Sequence, residues 1–188
     1  MRNALGGLVG AVVGCLFIVW LRALPQTVYP EPFNTVSFLL SGSVLLQSTL
    51  LGLMDWAVSG QYVVAWLIIG LAIAPFSKPN WNALRSALWV GLFIALLATG
   101  SILITNPSFW YSPSRNMDLI TLFTSSLIAS PLSLLSCIPI SLSAAWLTSG
   151  EATPPEKIET VCECGAVFKS RPVFCSECGR QLTGSDAQ

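Results

Sequence analysis

Four thiols stand close together near the end of the sequence, in Cys162-Glu-Cys164-Gly165 and Cys175-Ser-Glu-Cys178-Gly179. Thiolates serve as nucleophiles, redox partners and soft metal ligands. Two thiol pairs on two tight turns can place four sulfurs at the corners of a tetrahedron, about 2.3 Å from a zinc ion. A glycine after each pair permits the positive backbone dihedral that such a turn tends to need. Between the pairs, Ala166–Phe174 reads as two short strands around Ser170-Arg171-Pro172. So small a segment cannot bury a core, which makes a metal its natural staple. Two disulfides are one rival, disfavoured in a reducing compartment, and a four-thiolate iron site is another. Four thiolates close the shell of a zinc ion and leave no position for water or substrate, so such a zinc is structural.

The same segment resembles the short zinc-ribbon family, whose signature is two CxxCG knuckles a short hairpin apart, with an aromatic just before the third cysteine. The counterparts here are Cys164-Gly165, the stretch Gly165–Phe174, Phe174 itself and Cys175–Gly179. The likeness implies zinc held by Cys162, Cys164, Cys175 and Cys178 in a rubredoxin-like knuckle pair. One departure stands out: the first pair is C-x-C, a residue tighter than the family pattern. The ribbon is expected at 161–182, after a Pro-Pro linker at 150–160 and before a flexible tail at 183–188. Nucleic acid is a poor partner for it. Residues 151–188 carry four basic groups against six acidic ones, a net of −2, and four thiolates with one Zn²⁺ add a further −2. Phosphate binding draws on Lys and Arg, and only Lys169, Arg171 and Arg180 lie in the ribbon. Protein contact through Val167, Phe168, Val173 and Phe174 is the better expectation.

What carries this cluster is a very different chain. Of the 188 residues, 53% are hydrophobic and 10% charged, and the mean hydropathy is +0.69. An ordinary soluble domain has about 25% charged residues, so the composition points to a membrane protein. A helix rises about 1.5 Å per residue and the hydrocarbon core is about 30 Å thick. Runs of the right length predict spans near 4–21, 36–57, 60–77, 87–105 and 119–147, within a helical domain at 1–149. The third needs Lys78 to snorkel to the headgroups. The fifth is too long for one straight span and too short for two, so it reads as one helix bent by Pro131 and Pro139. Five spans is the expectation; four, with one segment re-entrant, is the competitor. The first run is read as a retained helix: Val12–Cys15 matches a lipoprotein box in outline, but the apolar run continues past Cys15.

Five spans with the tail in the cytoplasm place Arg22, Lys78, Arg85 and Lys157 inside and Arg2 and Arg115 outside, which agrees with the excess of basic residues on the inner side. The loop Thr105–Asp118 is then external, with Phe109, Trp110 and Tyr111 as interfacial anchors. Gly6, Gly10 and Gly14 recur every four residues and offer a close-packing face, toward this chain's own bundle or toward another helix in the membrane. Hydroxyls from Thr121 to Ser143 crowd the fifth span, where they can line a polar path or satisfy carbonyls around the prolines. No ionisable group lies deep in any run, and there is no histidine. That weighs against proton-coupled transport and intramembrane catalysis. Cys15 and Cys137 lack companions and read as small packing residues. The expected class is therefore an α-helical polytopic membrane protein of about five transmembrane helices with a small C-terminal β zinc ribbon. Its expected function is non-enzymatic: a multi-pass cell-membrane protein whose cytoplasmic ribbon docks a partner. A transporter or channel subunit is the alternative.

Overall fold

A computed structural model describes residues 2–23, 27–77, 81–149, 160–168 and 173–182. The expected linker before Thr160, the stretch 183–188, the turn Ser170–Pro172, and Lys78, Lys157, Lys169 and Arg171 lie outside the described residues. The chain divides into two units, Met1–Leu147 and Thr148–Gln188.

In chain order the helices are α1 (Arg2–Arg22), α2 (Ser37–Gln47), α3 (Thr49–Met54), α4 (Ser59–Ile73), α5 (Trp81–Thr105), α6 (Arg115–Ala129) and α7 (Leu134–Ser149). Short 3₁₀ turns lead into α2 at Phe33–Val36, extend α4 at Ala74–Phe76 and join α6 to α7 at Ser130–Ser133. Among the described residues, four stretches are long and apolar enough to cross a membrane: Arg2–Arg22, Ser59–Phe76, Trp81–Thr105 and Arg115–Leu147. Such helices form because every backbone donor and acceptor is satisfied within the segment, which the apolar medium demands.

Helix α1 lies at the centre, packed on α2, α4 and α5. Its glycines explain how three neighbours fit around it. A Cβ on Gly6 would lie 2.7 Å from the Phe76 side chain, one on Gly10 2.6 Å from Ile73, and one on Gly14 2.5 Å from Ile69. Gly7 meets Trp89 in the same way. The face formed by Gly6, Gly10 and Gly14 is thus covered by this chain's own helices. In membranes, where lipid is as apolar as leucine, such close backbone approach supplies much of the packing. Ile18, Leu46, Trp66, Ile69, Ile73, Val90 and Ile94 fill the core between these helices, together with buried Cys15 and Cys137.

The segment expected as a second span, 36–57, is not one helix. It breaks at Ser48, between α2 and α3, and neither piece is long enough to cross. The cause is local. Ser43 and Ser48 turn their hydroxyls back on the carbonyls of Leu40 and Leu45, at 2.7 and 2.8 Å, and Thr49 does the same to Leu46. Such back-bonding competes with the helical ladder and bends it. The last span also bends, through the 3₁₀ turn that contains Pro131, while Pro139 sits inside α7. Its hydroxyls largely follow the local pattern: Thr121, Ser125, Ser130, Ser133 and Ser141 each donate to a carbonyl three or four residues upstream. Ser136 instead crosses to the Leu67 carbonyl of α4, at 2.6 Å.

Arg2 does not stand on the opposite side from the α4–α5 connection, as five spans require. Its guanidinium donates to the Pro75 carbonyl at 2.9 Å, which places the start of α1 beside the end of α4.

Candidate metal centre

The second unit is built on two tight turns, each closing its own small hairpin. Strand β1 (Thr160–Val161) pairs antiparallel with β2 (Val167–Phe168), with Val161 opposite Val167. The sequence reading placed both strands between the cysteine pairs; instead β2 turns back on residues that precede Cys162. The reason is the knuckle itself, where Cys162 donates to the Ala166 carbonyl at 2.9 Å and Gly165 to the Cys162 carbonyl at 2.8 Å. The second turn repeats the scheme: Cys175 donates to the Arg180 carbonyl at 2.8 Å, Gly179 to the Cys175 carbonyl at 2.9 Å, and Phe174 bridges Gln181. Gly165 and Gly179 have φ of 91° and 70°, a region that only glycine enters readily.

These turns bring Cys162, Cys164, Cys175 and Cys178 together, with all four sulfurs within 4.8 Å of one another. The Sγ atoms of Cys162 and Cys178 are 3.6 Å apart, as are those of Cys164 and Cys175. A tetrahedron with metal–sulfur bonds of about 2.3 Å has edges of about 3.8 Å. The tight C-x-C pair therefore contributes both its sulfurs to the cluster. No disulfide links them: all six cysteines are free thiols. Cys162 and Cys175 are buried, and Cys164 and Cys178 are exposed. Arg180 forms an ion pair with Glu163 at the rim, both side chains well exposed.

Electrostatics follow from the crowding. The backbone N–H of Cys178 faces the Cys175 sulfur and, against the effect of burial, holds its pKa down to about 7; the Glu177 N–H adds to this. Cys164 is moved the other way. Its contact with the Ala166 backbone lowers it, but the neighbouring Cys162 and Cys175 thiols outweigh that and push it up to about 12. Cys178 is likewise raised: the Arg180 backbone acts downward, and Cys175 and Cys162 upward with greater effect. The Cys175 thiolate forms readily, and Cys164 and Cys178 resist following it. A cation among the four sulfurs reverses that logic, because it stabilises every thiolate at once. Four convergent soft donors of this kind can hold a metal ion.

The bundle contains polar contacts that the sequence reading did not single out. Arg22 donates to the Tyr62 hydroxyl at 2.9 Å and lies over its ring, and Tyr62 meets the Ser48 hydroxyl at 3.1 Å. Trp66 Nε1 donates to Thr49 at 2.9 Å, and the Gln47 amide to Ser125 at 3.1 Å. All link residues distant in the chain, so no local signal announces them. Cys15 and Cys137 are buried among helices, and among the described residues neither belongs to a comparable donor set. Comparison with protein-family models, curated proteins and solved structures finds no match to this chain.

Proposed function

We propose that this chain is a non-enzymatic integral protein of the cell membrane whose C-terminal thiols bind one structural zinc ion, and that the resulting cytoplasmic zinc ribbon docks a partner protein. The observation that carries the reading is the convergence of Cys162, Cys164, Cys175 and Cys178 to within 4.8 Å. A complete thiolate shell suits zinc and leaves it no open position, which favours scaffold over catalysis. Val161, Val167, Val173 and Phe174 are all exposed, an unusual amount of apolar surface for so few residues, and they supply the docking face. Phe168 is half-buried and belongs to the ribbon's own small core. Arg2, Lys78 and Arg85, close to membrane ends, support a cytoplasmic tail.

The test is metal analysis of the purified chain, followed by co-isolation of partners with the native chain and with Cys175→Ser/Cys178→Ser. One equivalent of zinc and a partner lost in the variant support the reading. Zinc-free protein removes the metal; identical partner sets remove the docking. A second reading, a transporter or channel subunit, is favoured by the broken helix at Ser48 and its polar contacts, since interrupted membrane helices commonly border solute sites. Flux measurements in liposomes with small uncharged solutes test it.

A further inference from the structure

We infer that Phe33–Met54 is a re-entrant hairpin: it enters and leaves the membrane on one face, so that the chain crosses four times and both ends of the bundle lie on the other face. The argument begins with α1 and α4. Gly6 lies against Phe76, Gly10 against Ile73, Gly14 against Ile69, and Arg22 reaches Tyr62. Rising numbers on one helix meet falling numbers on the other, so the two run antiparallel along their length. Each crosses once. The chain between them, from Ala23 to Val58, therefore begins and ends at the Arg22 end, and must cross an even number of times. Its helical pieces cannot make two crossings, since neither is long enough for one. They make none.

The hairpin nevertheless goes deep. Gly42 packs on the backbone of Cys15, where a Cβ would come within 2.6 Å of the Cys15 Cα, and Leu46 lies against Gly14 near the middle of α1. The chain bends at Ser48. Thr49 meets Trp66 and Gly52 meets Tyr62, so α3 climbs back along α4 to the turn that starts it. At the tip, Gln47 is clasped to Ser125 of α6. At the mouth, Tyr29 joins the Ser101 hydroxyl at 2.8 Å, and Ser41 reaches Tyr29 at 3.5 Å. Non-helical backbone at such depth is tolerated only inside protein or beside water, and here Ser43, Leu46 and Thr49 are enclosed by protein.

The remaining spans complete the count. Helix α5 runs parallel to α1, with Gly7 on Trp89 and Gly10 on Val90, and α6 returns antiparallel, with Ser126 at Gly91 and Leu122 clustered with Ala98. Ser133 then sits on Gly70, and the Cys137 thiol meets Ser77, nearer the Arg2 end. Residues 1–150 then hold three basic side chains on one face and two on the other, the same margin that five spans give. Arg2, Lys78 and Arg85 share one face without an acidic residue, while Glu31, Asp55 and Asp118 accompany Arg22 and Arg115 on the other. By the excess of basic residues, the Arg2 face is the cytoplasmic one.

Single cysteines at Asn3, Val28, Trp56 and Tyr111 in the full chain test the inference. Each is probed from either side of the membrane with an impermeant maleimide, and label beyond that of the unsubstituted chain is scored. Val28, Trp56 and Tyr111 are 86%, 94% and 87% exposed, so their substitution disturbs no packing. The expected result is one added label from a common side at Val28→Cys, Trp56→Cys and Tyr111→Cys, from the opposite side at Asn3→Cys, and at all four in detergent. Val28→Cys reacting from the side opposite Trp56→Cys overturns the inference, as does Asn3→Cys reacting from the same side as Trp56→Cys.

Discussion

The two units hold their shape by opposite means. In the bundle, glycines let backbones approach until side chains such as Ile69, Ile73 and Val90 pack against them. In the C-terminal unit, two-residue strands and two knuckles surround four sulfurs, and most apolar side chains face outward. Packing sustains the first; the second has too little to bury, and an ion bound by its four sulfurs would supply what packing cannot. The contrast teaches where each is fragile: the bundle to added volume, the small unit to lost ligands.

The sharpest way to break the comparison is to remove the ligands. Cys175→Ser/Cys178→Ser should abolish metal uptake and leave the C-terminal segment open to protease, while thermal unfolding of the bundle in detergent stays unchanged. Structural zinc contributes apparent free energies of about 10–16 kcal/mol in small zinc domains, which makes this the largest effect expected. If the segment keeps its protease resistance without metal, the contrast between the units fails.

Acid should act in the same direction. Cys164 and Cys178 are held above their usual range, so at pH 7 both still carry protons, whereas Cys175 is about half ionised. Metal loading at pH 7 then releases at least those two protons, and occupancy must fall as pH drops, since protons compete for the same sulfurs. Calorimetry in buffers of different ionisation enthalpy counts the protons. Release that does not exceed one at pH 7 contradicts the thiolate shell.

For the bundle, the corresponding break is added volume. Gly42→Leu forces a side chain against the Cys15 backbone, which cannot move aside as a flexible side chain can. Overpacking typically costs about 1–3 kcal/mol. A lowered melting temperature of the bundle, with metal content unchanged, is the expected outcome. Ser136→Ala should do less. It removes the bond to the Leu67 carbonyl, and hydrogen bonds between membrane helices average about 0.6 kcal/mol. Least of all, Glu163→Gln should leave metal content and protease resistance as they are, because its ion pair with Arg180 is exposed.

Much of the small unit is legible in the sequence. The spacing of Cys162, Cys164, Cys175 and Cys178, with a glycine after each pair, already specifies two turns, and turns are local. The strands were less so, because β2 pairs backward across the first knuckle. In the bundle the apolar runs marked the helices, and Pro131 marked the bend of the last one. The glycine row of α1 announced a close-packed face but not what covers it. The polar links Gln47–Ser125, Trp66–Thr49 and Arg22–Tyr62 left no trace in the sequence, since each joins residues far apart in the chain.

By itself, then, the sequence determined that this chain carries segments long and apolar enough to cross a membrane, and a set of soft ligands: hydrophobicity and thiol spacing are properties of neighbouring residues. Only the tertiary structure decided which way its apolar segments run against one another. Hydropathy records how long and how apolar a segment is, not which way it runs. Direction emerged from contacts such as Gly14 with Ile69 and Arg22 with Tyr62, and from a break at Ser48 that three back-bonding hydroxyls make possible.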